Sequence, residues 1–322
     1  RQFLIALAGP ERRPFSRGSG RLELAEAIAG AGNPLTARVA VNRVWLHHFG
    51  AGLVRTPGDF GLRGETPTHP ELLDYLASRL KDGGWSLKRM HRLIMLSSAY
   101  RQASTAPESG AESADAGTRA EAADAGPRAE PADAGGAGTG GARLDPENRL
   151  LWRAPRQRLD FEALRDSLLA VSGRLDLMAG GPSVDIIAQP ASGRRSVYGF
   201  IERQNLPGLF RAFDFASPDT TCPQRHTTTV PQQALFLMNS GFATEQARLL
   251  AARPEVAAAR EPRARIAALY RLVLARDPGA EEVELGVRYV ENEEVNGAGA
   301  DLDPWERYGQ ALLLSNEFAF LD

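Results

Sequence analysis

Residues 33–50 read NPLTARVAVNRVWLHHFG, and this stretch decides the fold class. Asn33 is a good N-cap because its side-chain oxygen can take an unpaired N–H of the first turn. Pro34 suits the first helical position, where no N–H is needed. The spacing predicts a helix from Pro34 to about Phe49. Its apolar residues (Leu35, Val39, Val41, Val44, Trp45, Leu46, Phe49) cover most of the circumference, so the helix is expected to be largely buried. Downstream, Thr68 and Glu71 form a T-x-x-E capping box ahead of Leu72, Leu73, Leu76 and Leu80, and Gly83–Gly84 closes that helix. Ser86 caps a third, with Leu87, Met90, Ile94 and Ser97 at helical spacing to about Tyr100.

Further along, Asp160 opens a helix with Phe161, Leu164, Leu168 and Val171 on one face, stopped at Gly173. Thr229 and Gln232 make a second capping box for a helix through Met238, broken by Asn239–Ser240–Gly241. Helices are then expected at about Phe242–Arg253, Pro262–Ala275, Pro278–Glu294 and Pro304–Asn316. Two of these start Asp-Pro, at Asp277–Pro278 and Asp303–Pro304. Ser196–Ile201 (SVYGFI) is the best strand candidate. The fold class is mainly α, with at most a short β element near 196–201. No strand–helix alternation appears, which argues against a Rossmann fold or a barrel.

Ser104 to Arg143 breaks the pattern. These 40 residues contain no Leu, Ile, Val, Met or aromatic residue. ADAG recurs in them at Ala114, Ala123 and Ala132, but the positions that would point inward in a β-roll are Ala or charged. A stretch with so little apolar surface is expected to be a disordered low-complexity insert. Residues 1–103 and 144–322 are accordingly expected to form one discontinuous helical domain around it.

Composition narrows function mainly by exclusion. Lys plus Arg is 38, Asp plus Glu is 40, and the formal net charge is −2. All basic residues but Lys81 and Lys88 are Arg, matched in number by the acids. That balance argues against a dedicated nucleic-acid binder. No apolar run approaches the roughly 18 residues of a membrane span. The one cysteine, Cys222, rules out an internal disulfide and any cysteine-rich metal site, and C-x-x-C-H haem attachment is absent. The chain begins at Arg1, so a processed product or an excised fragment is expected.

Familiar catalytic signatures are missing. Asp59–Phe60–Gly61 spells DFG, but no glycine-rich loop or H-R-D accompanies it. G-x-x-x-x-G-K-[ST], G-x-G-x-x-G and G-x-S-x-G do not occur. No pair of the five histidines has metal-ligand spacing, so no metal is expected, although His48, Asp59 and His69 could be assembled from a distance. His91 reads as a core-edge histidine. Cys222 and His226 read as a partly buried thiol and a neighbour rather than a nucleophile and base.

Two polar groupings remain. Arg38, Asn42 and Trp45 share one side of the first helix, with Arg43 alongside, and buried polar groups there need partners. Asp59, Glu65, Asp74, Asp160, Glu162 and Asp166 are the acids on offer, with Asp59 or Asp166 favoured for Arg38 and Asn42. The second grouping is the polar run from Asp214 through Asp219 to Thr229, long enough for a functional loop. The candidate polar centre is therefore Arg38, Asn42, Arg43, His48, Asp59, His69, Asp166 and Asp219. A buried ion-pair network and a ligand site are both open readings.

The run NPLTARVAVNRVWLHHFGAGLVRTPGDFG resembles a known family. So do THPELLDYLASRL, GWSLKRMHRLIMLSSAYRQ, DPENRLLWRAPRQRLDFEALRDSLLAVSGRLD, RRSVYGFIERQ, FDFASPDTTCPQRHTTTVPQQALFLMNS, RIAALYRLVLARDP and ALLLSNEFAFLD. That family is the C-terminal "PSD one" domain of planctomycete-type bacterial proteins, a domain of unknown function. The resemblance implies a large exported, extracytoplasmic parent with sister domains, among them a cytochrome c module. It brings no known catalytic residues. On this reading the chain carries no cofactor itself, and haem c belongs to a partner domain. The expected role is a non-catalytic interaction or scaffold module. The alternative is a catalytic module, an oxidoreductase or a carbohydrate-active one, passing electrons to a partner cytochrome c.

Overall fold

A computed structural model describes residues 1–104, 137–188, 190–292 and 301–321. Most of the expected insert, including its ADAG repeats, lies outside the described residues. Cα packing divides the chain into two compact units, Arg1–Pro155 and Arg156–Leu321. Each has its own apolar cluster, and the chain across their boundary, Arg153 to Arg158, is polar and arginine-rich.

The first unit holds α1 (Ile5–Ala8), α2 (Arg21–Ala29), α3 (Pro34–Phe49), α4 (Pro70–Asp82), α5 (Leu87–Met95) and α6 (Ala137–Leu144). Helix α3 has the boundaries its caps dictate. Asn33 accepts the Leu35 N–H at 3.0 Å, and Gly50, at φ 73°, donates its N–H to the Leu46 carbonyl. Val41, Trp45 and Phe49 of α3 pack with Leu73, Leu76 and Leu80 of α4 and with Met90 and Ile94 of α5. Trp45 and Phe49 stack, with ring centroids 4.2 Å apart.

Three expected boundaries shift here. The residue capping α4 is His69, not Thr68, because Thr68 is committed elsewhere: its N–H and hydroxyl both donate to the Leu53 carbonyl. Helix α5 stops at Met95 rather than near Tyr100. Ser97 turns the chain there by donating to the Ile94 carbonyl at 2.6 Å and accepting the Tyr100 N–H, a side-chain competition with helical bonding. The expected insert also ends early, since 137–143 is helical. At Gly141 a Cβ would sit 2.7 Å from the Trp152 ring, so glycine lets α6 approach that indole.

The second unit opens with β1 (Gln157–Arg158), paired antiparallel to β2 (Phe320–Leu321) with Gln157 opposite Leu321. Between them run α7 (Phe161–Val171), α8 (Gly208–Ala212), α9 (Pro231–Asn239), α10 (Gly241–Ala251), α11 (Pro254–Ala257), α12 (Pro262–Leu274), α13 (Ala280–Glu291), α14 (Pro304–Leu313) and α15 (Asn316–Ala319). Phe161, Leu168, Phe210, Leu250, Ile266 and Leu269 anchor its core. Helix α13 closes on α12 and α14 through Gly286, where a Cβ would meet the Tyr308 hydroxyl at 2.6 Å. The mainly α class holds, and no described helix is long and apolar enough to cross a membrane.

The expected strand at Ser196–Ile201 is instead a 3₁₀ turn over Ser196–Tyr198. Ser196 spends its N–H and its hydroxyl on one carboxylate oxygen of Asp166, at 2.7 Å each, so that N–H cannot join a ladder. Only an isolated bridge from Val184 to Gly199 remains. Val230 and Gln233, rather than Thr229 and Gln232, frame the start of α9, because Pro231 takes the first helical position. Helix α13 starts at Ala280, two residues later than expected, with Asp277 drawn into an ion pair with Arg271. Asp303 caps α14 as its Asp-Pro sequence implies.

Candidate functional site

Arg38 and Asn42 share one side of α3 but serve different ends. Asn42 is fully buried, and its amide pairs with the backbone of Val54. Arg38 is partly exposed and meets Asp74 of α4 at 2.6 Å, so neither residue reaches Asp59 or Asp166. The Arg38 bond holds the Asp74 carboxyl below its usual range. Arg43 is exposed. Asp59 closes a turn by accepting the Gly61 N–H at 2.8 Å, and His69 bonds the Thr68 hydroxyl at 3.0 Å.

His48 turns away from Asp59 and His69. Its Nε2 lies 2.8 Å from Nδ1 of His91 on α5, and the Tyr100 ring packs edge-on at 5.3 Å. Burial, then the nearby His91 and His47, push the His48 imidazolium pKa down. One signal for this pair was available in the sequence: both histidines flank core positions, Phe49 and Met90. Among the described residues no three His, Cys, Asp or Glu side chains converge as a metal site would require.

In the second unit, Asp166 faces Ser196 and lines a cleft of about 450 Å³ with Asp160, Glu162, Arg195, Phe210 and Phe215. Each carboxylate there already holds a partner. Asp160 caps α7 through the Ala163 N–H, Glu162 makes a bidentate pair with Arg225 at 2.8 Å, and Asp166 takes Ser196. The Glu162 bonds push the Arg225 pKa further up. Arg225 and the Asp214–Thr228 bonds pin the polar run from both sides. Asp219 in that run is exposed, accompanied by Ser217 at 3.4 Å. Cys222 is exposed rather than partly buried; the run gives it no apolar cover, and its thiol donates to the Gln224 carbonyl.

Sequence reasoning missed a groove of about 660 Å³ between the C-terminal end of α4 and α5. Met90 and Leu93 form its floor, Leu96 its rim, and Arg79, Arg89 and Arg92 surround it, with Asp82 the single carboxylate. The three arginines make no ion pair among the described residues. The signal lay in the run Arg89–Met90–His91–Arg92–Leu93, whose two arginines and two apolar residues each fall three apart on a short helix.

This helical chain, with a buried polar clasp in one unit and an open basic groove beside it, belongs to the PSD1 family of proteins of unknown function (DUF1553), whose model matches residues 20–130 and 137–290. Comparison with curated proteins and with solved structures finds no match.

Proposed function

We propose that the chain is a non-catalytic interaction module of an exported multidomain protein and docks onto sister domains, among them a haem-bearing cytochrome c. The single observation that carries this reading is the α4–α5 groove, an apolar floor ringed by three arginines that make no ion pair among the described residues. Apolar surface rimmed by polar groups is the usual mark of a protein contact. The proposed extracytoplasmic setting and the cytochrome partner rest on the sequence resemblance alone. In this reading haem stays in the partner and the chain supplies contact surface only.

The test uses the parent protein with and without this chain. It is mixed with a panel of sugars and polysaccharides while haem reduction is followed, and the separate chain is titrated against the sister domains. The module reading expects saturable binding and no substrate-driven haem reduction that depends on the chain. Reduction lost only when the chain is deleted overturns it in favour of the catalytic alternative.

A further inference from the structure

We propose that the groove between α4 and α5 binds an acidic, amphipathic segment of a protein partner, an inference that rests on the module reading and names its contact. Arg79, Arg89 and Arg92 are exposed around the groove and have no carboxylate within ion-pairing distance among the described residues. Some arginines of the same unit are paired, Arg38 with Asp74, Arg55 with Glu147 and Arg149 with Glu65, whereas the groove gathers three without an ion pair around one apolar floor. An uncharged occupant would strip water from three guanidinium groups and return nothing, and a basic one would be repelled. Glu or Asp side chains match the guanidinium fork with two parallel hydrogen bonds each.

The apolar half sets the rest of the occupant's chemistry. Met90 is buried and Leu93 half-buried, while Leu96 is 60% exposed. These residues offer a floor and a rim for leucine or phenylalanine side chains at i, i+3, i+4 spacing. Between the groove-lining Gly83 and Ser86, Trp85 holds φ 60°, fixed by its N–H to the Leu80 carbonyl, and leaves 44% of its surface in solvent. The hollow is concave, a shape that receives a peptide better than it lies on a flat lipid surface.

The experiment titrates the full chain into a fluorescent Glu/Leu amphipathic peptide, into the same peptide with Lys for Glu, and into phosphatidylglycerol vesicles. The Glu/Leu peptide should bind, more weakly as salt rises, and the Lys/Leu peptide should not. The Arg89→Glu/Arg92→Glu variant should weaken binding at least tenfold. Leu96→Glu should also weaken it, and Arg271→Ala, in the other unit, should leave it unchanged. Circular dichroism confirms that each variant folds. Equal binding of both peptides, full binding by the double variant, or binding to vesicles but not to the peptide overturns the proposal. Sister-domain binding that persists in the double variant, without peptide binding, overturns the groove and leaves the module reading standing. Loss of sister-domain binding by the unaltered chain removes the module reading itself.

Discussion

Asn42 and Val54 pair in both directions: the Asn42 amide donates to the Val54 carbonyl at 2.9 Å, and the Val54 N–H donates back to Asn42 Oδ1 at 2.8 Å. A helix side chain thereby stands in for a strand neighbour, satisfying a buried stretch of loop that has no ladder of its own. The fit is close, since at Gly52 a Cβ would come within 2.5 Å of the Asn42 amide nitrogen. Asn42→Ala leaves a buried donor and a buried acceptor unpaired, at about 1–3 kcal/mol each. The expected loss is about 2–5 kcal/mol in urea unfolding followed by tryptophan fluorescence. Asn42→Asp should also destabilise, because a carboxylate cannot donate to the Val54 carbonyl. A loss under about 1 kcal/mol for both variants would refute the clasp.

Arg38 should behave differently although it lies one turn away. Its side chain is 36% exposed and that of Asp74 is 53% exposed. Exposed pairs of this kind contribute below about 1 kcal/mol and are screened by salt. Arg38→Ala should therefore cost well under the about 3–5 kcal/mol of a broken buried pair. Unfolding curves of both variants at low and high salt separate the two cases, and a large, salt-independent loss would place Arg38 in the core after all.

The His48–His91 contact makes stability depend on pH. The folded-state pKa of His48 lies below its ordinary 6.5, first through burial and then through the neighbouring His91 and His47. In the window between that lowered value and 6.5 the unfolded chain binds the extra proton. Stability from this group is thus complete above 6.5 and declines as pH falls toward the folded pKa, after which it levels off. His48→Gln should flatten the fall in unfolding free energy between neutral and mildly acidic pH. Identical pH slopes for the variant and the unaltered chain would exclude His48 as the source.

Legibility in the sequence followed how local each determinant was. The caps Asn33, Ser86, Asp160, Ser240 and Asp303 act within three residues of themselves, and all but Ser240 stand where the sequence alone places a helix start. At Ser240 the sequence alone predicts only a helix break. Thr68 and Thr229 carried the same local signal, but Thr68 is claimed by Leu53 and Pro231 sets the start of α9 after Thr229. SVYGFI has the composition of a strand, yet Asp166, thirty residues earlier, takes the Ser196 donors. The polar centre was legible as a demand for partners and not as their identity. Nothing near Asn42 in the chain marks Val54, whose role is played by backbone atoms that every residue has.

Arg165 shows the same principle at the largest scale. Its side chain is 2% exposed, and the closest carboxylate oxygen, of Asp166, is 3.7 Å away. The guanidinium instead donates to the carbonyls of Ile186, Arg194 and Ser192 and to the Ser196 hydroxyl, with the Phe242 ring beneath it. Burial pushes its pKa down, but arginine stays charged at any accessible pH. The residue therefore works as an internal post that ties Ile186, Ser192, Arg194 and Ser196 to α7. Arg165→Ala leaves three carbonyls without this donor, and the expected cost is about 3–5 kcal/mol. Arg165→Lys keeps the charge but cannot aim donors in three directions from one plane, so about 1–3 kcal/mol should still be lost. Both variants should also open the segment to limited proteolysis before the helical core unfolds. Should the lysine variant match the unaltered chain in melting temperature and in cleavage rate, charge alone holds the segment and the directional cage is wrong.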